Sequence, residues 1–116
     1  MEKWALCPKF EAAMAILGKR WTGLIVEVLL NGAARFSEIA QAIPSVSDRM
    51  LAERLRELEA EGIVIRRVFP EIPVRIVYEL SDKGKDLAPV LAAVHQWADR
   101  WIIPPAPEPS VSAEGR

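Results

Sequence analysis

The chain has 116 residues, with 15 Lys and Arg against 16 Asp and Glu, one histidine and one cysteine. That length suits a single domain with its own core, and a lone cysteine rules out an intramolecular disulfide and any multi-thiolate metal site. The net charge of −1 gives no global attraction to nucleic acid, so such a partner has to be recognised by where the charges sit.

Cys7-Pro8 followed by Phe10, Ala13, Met14 and Leu17 spaces apolar residues as a helix does, with proline in the first turn, where its missing N–H costs nothing, and Gly18 as the stop. Trp21, Leu24, Ile25, Val28 and Leu29 predict a second helix over about 21–30, closed by Asn31-Gly32. Phe36-Ser37-Glu38 opens a short third helix with Ile39, Ala40 and Ile43 inward, and Pro44-Ser45-Val46 breaks it. Ser47 then caps a fourth helix that carries Asp48 in its first turn and stops at Gly62.

Beyond Gly62 the period changes. Residues 63–69 are rich in β-branched side chains, and 74–80 alternate with Ile76, Tyr78 and Leu80 on one face. Pro70-Glu71-Ile72-Pro73 between them forbids regular ladder pairing, which predicts a hairpin with an extended tip. Ser81 caps a final helix of about twenty residues, with Leu87, Val90, Leu91, Val94, Trp97, Ala98 and Trp101 as its stripe. The Pro-rich segment 104–116 cannot bury enough apolar surface to order itself. One domain over 1–103 with a disordered tail is the expected organisation.

This order of elements is that of a winged helix-turn-helix, mainly α with a small β-hairpin (α+β). In that arrangement the fourth helix enters the DNA major groove and the hairpin lies along the flanking backbone. Leu51, Leu55 and Leu58 fall in one narrow arc of the fourth helix, and Arg49, Glu53 and Arg56 in the opposite one, with Met50 and Ala52 at the margins. Ser47, Asp48 and Arg49 form the first turn, the part that reaches base edges. An arginine fork there can bond both O6 and N7 of guanine. The same residues also fit a solvated face laced with ion pairs, since 48–61 hold three arginines against five acids. Arg66, Arg67 and Arg75 on the hairpin, with Arg35 and Ser37 at the third helix, weigh towards phosphate contact.

Cys7-Pro8, Gly18-Lys19-Arg20-Trp21-Thr22, Leu24-Ile25, Arg35-Phe36-Ser37-Glu38-Ile39, Leu51-Ala52-Glu53-Arg54-Leu55-Arg56-Glu57-Leu58-Glu59, Gly62, Pro70-Glu71-Ile72-Pro73, Tyr78 and Ser81-Asp82-Lys83-Gly84 together resemble the HxlR family of bacterial regulators, relatives of the MarR-like winged-helix proteins. The resemblance spans about residues 7 to 101. Arg20 and Val77 depart from the family pattern without threatening the fold. The resemblance implies a homodimer built from the first and last helices, through Phe10, Leu87, Val90, Leu91, Val94, Trp97 and Trp101. It also implies a pseudo-palindromic DNA operator, and repression as the mode of action. Some members sense electrophiles or oxidants through a cysteine matching Cys7. Here Cys7 precedes Pro8 at a helix start with Lys9 beside it, so it is either such a sensor or a small buried hydrophobe near the dimer seam.

Trp21, Trp97 and Trp101 read as core or dimer interface rather than a cofactor box, and His95 as a surface or rim residue. An enzyme lacks its parts: there is no nucleophile with a base, no Gly-rich phosphate loop and no metal-ligand cluster, and no cofactor is expected. A winged-helix module for protein or RNA contacts is the other binding role that the fold allows. No apolar run reaches bilayer length, and the N-terminus lacks secretory-signal features, so the expectation is a cytoplasmic protein with no membrane partner. A small-molecule effector is left open.

Overall fold

The computed structural model describes residues 5–105. Its helices are α1 (Pro8–Leu17), α2 (Thr22–Leu29), α3 (Phe36–Ala42), α4 (Asp48–Ala60), α5 (Asp82–Lys85) and α6 (Ala88–Trp101), and β1 (Val64–Phe69) with β2 (Arg75–Leu80) forms the hairpin between α4 and α5. Residues 1–4 and 106–116, with most of the expected tail, lie outside the described ones, while Pro104 and Pro105 carry no regular structure.

The core sits where α2, α3, α4 and the base of the hairpin meet. Ile25, Val26 and Leu29 of α2, Ile39 of α3, Leu51, Leu55 and Leu58 of α4, and Ile63, Val64 and Leu80 are all buried there. Truncating one such leucine to alanine typically costs about 2–5 kcal/mol, so the α4 stripe alone fixes which way that helix faces. The hairpin is antiparallel, with Val64 opposite Leu80 at its base and Phe69 opposite Arg75 near its tip. A single-residue bridge adds a third rung: the Ala34 N–H donates to the Tyr78 carbonyl at 2.9 Å, and the Tyr78 N–H donates back at 2.8 Å. This ties the α2–α3 link to the wing.

The end of α4 is a Schellman motif. The Gly62 N–H donates to the Glu59 carbonyl (3.0 Å) and the Ile63 N–H to the Leu58 carbonyl (2.9 Å), with Gly62 at φ +77°. Leu58 and Ile63 are both buried, which supplies the apolar contact that accompanies such a cap. The Ser81-Asp82-Lys83-Gly84 turn closes over it. Ser81 Oγ donates to the carbonyls of Gly62 and Ile63, accepts from the Gly84 N–H (3.1 Å) and so caps α5, and Lys83 Nζ donates to the Glu61 carbonyl at 2.6 Å.

The single final helix expected from Ser81 is instead two. An unbroken helix would need an N–H at position 89 for the Lys85 carbonyl, and Pro89 has none, while its ring would collide with that carbonyl. The chain therefore leaves α5 at Lys85, the Leu87 N–H donates to the Gly84 carbonyl (3.0 Å), and α6 restarts with Pro89 in its first turn.

Neither α1 nor α6 holds a buried residue. With their flanking residues they touch the core through Ile16, Leu87 and Leu91 and otherwise present Leu6, Phe10, Met14, Val90, Val94, Trp97, Trp101, Ile102 and Ile103 outward. No helix among the described residues is long and apolar enough to cross a membrane.

Candidate nucleic-acid interface

Ser47 caps α4 through its Oγ, which accepts from the Met50 N–H at 3.1 Å and leaves its own hydrogen directed elsewhere. Asp48 and Arg49 in the first turn and Arg56 two turns later are exposed, whereas Met50 is half-buried against the core. Arg49 and Arg56 make no ion pair with the described residues. Glu53, expected on the same outward arc, is half-buried and its Oε2 lies 3.5 Å from Arg54 Nη1. The outward side of α4 thus carries two guanidinium groups without an ion pair among the described residues, on a helix whose other side is locked into the core.

Arg35 and Ser37 stand exposed at the start of α3, where the Arg35 N–H donates to Glu38 Oε1 at 2.8 Å. Across an open cleft from them is the hairpin tip. Of the wing arginines, Arg66 is exposed and makes no ion pair with the described residues. Arg67 Nε donates to Glu79 Oε1 at 2.9 Å, and Arg75 makes a two-pronged pair with Glu71. The hydrogen bond that Arg67 donates to Glu79 raises the Arg67 pKa and lowers that of Glu79. A lowered carboxyl keeps the pair intact above the ordinary carboxylate range; it is lost as pH falls through the depressed value.

Sequence reasoning gave Arg54 no role beyond a surface ion pair. It lies on the flank of the leucine stripe, three residues after Leu51 and four before Leu58, and its side chain is only 14% exposed. Arg54 Nε donates to the Arg20 carbonyl at 3.0 Å, and Nη1 meets Glu57 Oε1 at 3.3 Å while Lys19 Nζ holds Glu57 Oε2 at 3.3 Å. The recognition-helix candidate is thereby tied to the α1–α2 turn. That turn is strained: Trp21 sits at φ +80°, a left-handed conformation that costs a bulky L-residue roughly 1–3 kcal/mol. Arg20 stacks over the Trp21 ring at 4.4 Å from its centroid. The signal available in the sequence was Arg54's place beside the leucines, not its charge.

Cys7 is the N-cap of α1, as expected from Pro8, and its thiol is exposed in the single chain. Of the residues expected at a dimer seam, Phe10, Val90, Val94, Trp97 and Trp101 are exposed, while Leu87 and Leu91 are half-buried against the protomer's own core. His95 is exposed but not solitary, since its Nε2 lies 2.6 Å from Glu27 Oε2 and links α6 to α2.

Comparison with known proteins agrees with this geometry. The chain is 58% identical over 104 residues to the HTH-type transcriptional regulator YvaP of Bacillus subtilis (strain 168), covering 90% of this chain and 96% of YvaP. It is 50% identical over 99 residues to the HTH-type transcriptional regulator YodB of the same organism, covering 85% and 88%. The reduced form of YodB superposes with a TM-score of 0.77 at 49% identity, covering 88% of this chain and all of that one, and YodB has also been solved diamide-treated and quinone-bound. The redox regulator HypR in its oxidised form superposes with a TM-score of 0.75 at 35% identity, over 81% of this chain and 96% of HypR. The family model of the HxlR-like helix-turn-helix matches residues 16–105, and the chain belongs to that family.

Proposed function

We propose that this helix-turn-helix transcriptional regulator works as a homodimer that lays one α4 from each protomer into the major groove of a pseudo-palindromic operator and represses transcription there. The observation that carries the reading is the α4 surface, where Arg49 and Arg56 point outward and unpaired while Leu51, Leu55 and Leu58 are buried. The wing and Arg35 supply phosphate contacts, which hold the protein on the duplex without reading its sequence. The outward apolar residues of α1 and α6 form the dimer seam; a monomer seldom leaves so much large apolar side chain in water. The role is binding in the cytoplasm, not catalysis, in keeping with relatives that are transcriptional regulators.

Footprinting on the region upstream of the protein's own gene tests this, with Arg49→Ala as the informative variant. Losing a bidentate arginine–guanine contact removes about 1–3 kcal/mol of discrimination. Because a homodimer loses two such contacts, the variant is expected to bind the footprinted site about thirtyfold more weakly or worse while its affinity for random duplex barely moves. Equal loss on both duplexes would reduce Arg49 to a backbone contact, and no footprint at all would favour a protein- or RNA-binding role for the fold.

Cys7 gives this regulator its response to oxidants or electrophiles. Support comes from its exposed position at the α1 N-cap and from the diamide-treated and quinone-bound forms of YodB and the oxidised form of the redox regulator HypR. Because the sequence holds one cysteine, a disulfide between two thiols of this protein has to join two protomers. Two thiols then give up two protons and two electrons to the oxidant. Diamide is expected to produce a covalent dimer on a non-reducing gel and to change operator affinity, and Cys7→Ser is expected to abolish both effects. Unchanged operator binding after peroxide or maleimide sinks the sensor role.

A further inference from the structure

The wing carries its positive charge in a partly spent form. Arg75 Nε and Nη2 face Glu71 Oε1 and Oε2 at 3.4 and 3.2 Å, a fork-on-carboxylate pair. The Arg75 guanidinium also lies 4.0 Å from the centroid of the Phe69 ring, its cross-strand partner. Arg75 and Glu71 border an open cleft of about 480 Å³ whose other wall carries Arg35 and Ser37. Two arginines thus flank one cleft, and a carboxylate of the same chain already occupies the donor edge of one of them.

Carboxylate and phosphate oxygens accept the same two parallel N–H bonds from a guanidinium, so they compete for a single edge. From this geometry we infer that Glu71 is a resident competitor for DNA phosphate at the wing. A backbone phosphate entering the cleft between Arg35 and Arg75 must displace it. The inference rests on the reading of the wing as a backbone contact. Stacking on Phe69 keeps the guanidinium in place while the carboxylate leaves, because the ring holds Arg75 independently of Glu71. An exposed ion pair of this kind is weak and screened by salt, so displacement is easy, yet it subtracts a little from every wing contact with DNA.

Counterions give the inference a distinct signature. Each phosphate neutralised by an arginine releases condensed cation from DNA and steepens the salt dependence by roughly 0.9 in log–log slope. A displaced Glu71 leaves a negative charge beside the DNA, which lowers the net neutralisation and offsets that release. The penalty falls on wing contacts shared by all sequences, so it lowers affinity for operator and unrelated DNA alike and leaves discrimination to the base-reading face of α4.

The test measures binding of the full chain to a random-sequence duplex, by fluorescence anisotropy over a salt series, for wild type, Glu71→Gln, Arg75→Ala and the double variant. Glu71 is exposed at the hairpin tip, and matching thermal melts check that each variant is folded. Glu71→Gln is expected to bind about fivefold tighter, with a slope steeper by about one unit per wing. In the Arg75→Ala background the same substitution is expected to give at most a small gain and no added slope. Equal effects in the two backgrounds overturn the inference, because Glu71 then acts only by general repulsion. Unchanged affinity and slope in Glu71→Gln overturn it as well. A wild-type chain that binds no duplex removes the DNA reading itself, and this inference with it.

Discussion

Gly84→Ala is expected to lower the melting temperature by about 10 °C or more, a large effect for one methyl group, because Gly84 is the buried residue of its turn. A Cβ at position 84 would lie 2.4 Å from the Ile63 carbonyl oxygen, 3.0 Å from Leu80 Cδ2 and 3.2 Å from Ile63 Cγ2. The leucine methyl can give way; the carbonyl cannot do so cheaply. It accepts from both the Ser81 N–H and Ser81 Oγ, and Ile63 is the residue whose N–H completes the α4 cap. Overpacking of this kind costs about 1–3 kcal/mol, sometimes more. A Cβ 2.4 Å from a backbone oxygen held by two hydrogen bonds places the cost at or above the top of that range. Alanine's better helix propensity returns up to about 1 kcal/mol, so a net loss of about 2 kcal/mol or more is expected. Relief by backbone movement pushes Ile63 away, which drags the end of α4 and the root of β1 together. Operator affinity is therefore expected to fall along with stability. Thermal unfolding followed by circular dichroism measures the first; a melt within about 2 °C of wild type would mean that α5 does not rest on the α4 cap.

The same corner shows what the sequence made legible. Ser81-Asp82-Lys83-Gly84 entered the sequence analysis as a helix cap and as part of a family resemblance, and the cap is real. What no periodicity revealed is that each of Ser81, Lys83 and Gly84 also contacts the α4–β1 turn, because these contacts join segments some twenty residues apart. The orientation of α4 was readable, since Leu51, Leu55 and Leu58 can meet a core only if Arg49 and Arg56 face away. Gly62 as its terminus was readable too, because a left-handed exit favours glycine. Pro89 carried a signal that the length of the apolar stripe outweighed: the stripe continues past it, whereas the backbone hydrogen bonds do not. The Ala34 bridge left no trace, as a single paired residue has no period.

Apolar stripes were less informative about what they pack against. Leu87 and Leu91 turned towards their own core, whereas Val90, Val94, Trp97 and Trp101 faced outward. Spacing identifies a face that needs cover without naming the cover. Charge was similarly ambiguous. Arg54 and Arg56 are two residues apart on one helix; the first is nearly buried in a polar clamp and the second is free on the outer side. Their angular positions relative to the leucines separate them, and composition does not.

Arg54→Met is the variant that asks whether that clamp positions α4. Methionine fills much of the same volume and keeps the apolar stem against the core, but it cannot donate to the Arg20 carbonyl or pair with Glu53 and Glu57. Hydrogen bonds from a charged donor are worth about 1.5–3 kcal/mol each, and Lys19 continues to hold Glu57. A net loss of about 2 kcal/mol, or roughly 10 °C in melting temperature, is expected. Lys is expected to rescue only in part, because one ammonium cannot span a carbonyl and two carboxylates with a fixed fork. The informative readout is coupling to α1. Where alkylation of Cys7 changes operator affinity in the wild type, that change is expected to shrink severalfold in Arg54→Met, measured well below its melting point, because the clamp joins the turn after α1 to the helix proposed to read DNA. A variant that loses stability yet transmits the Cys7 adduct in full would show that Arg54 merely props up the fold.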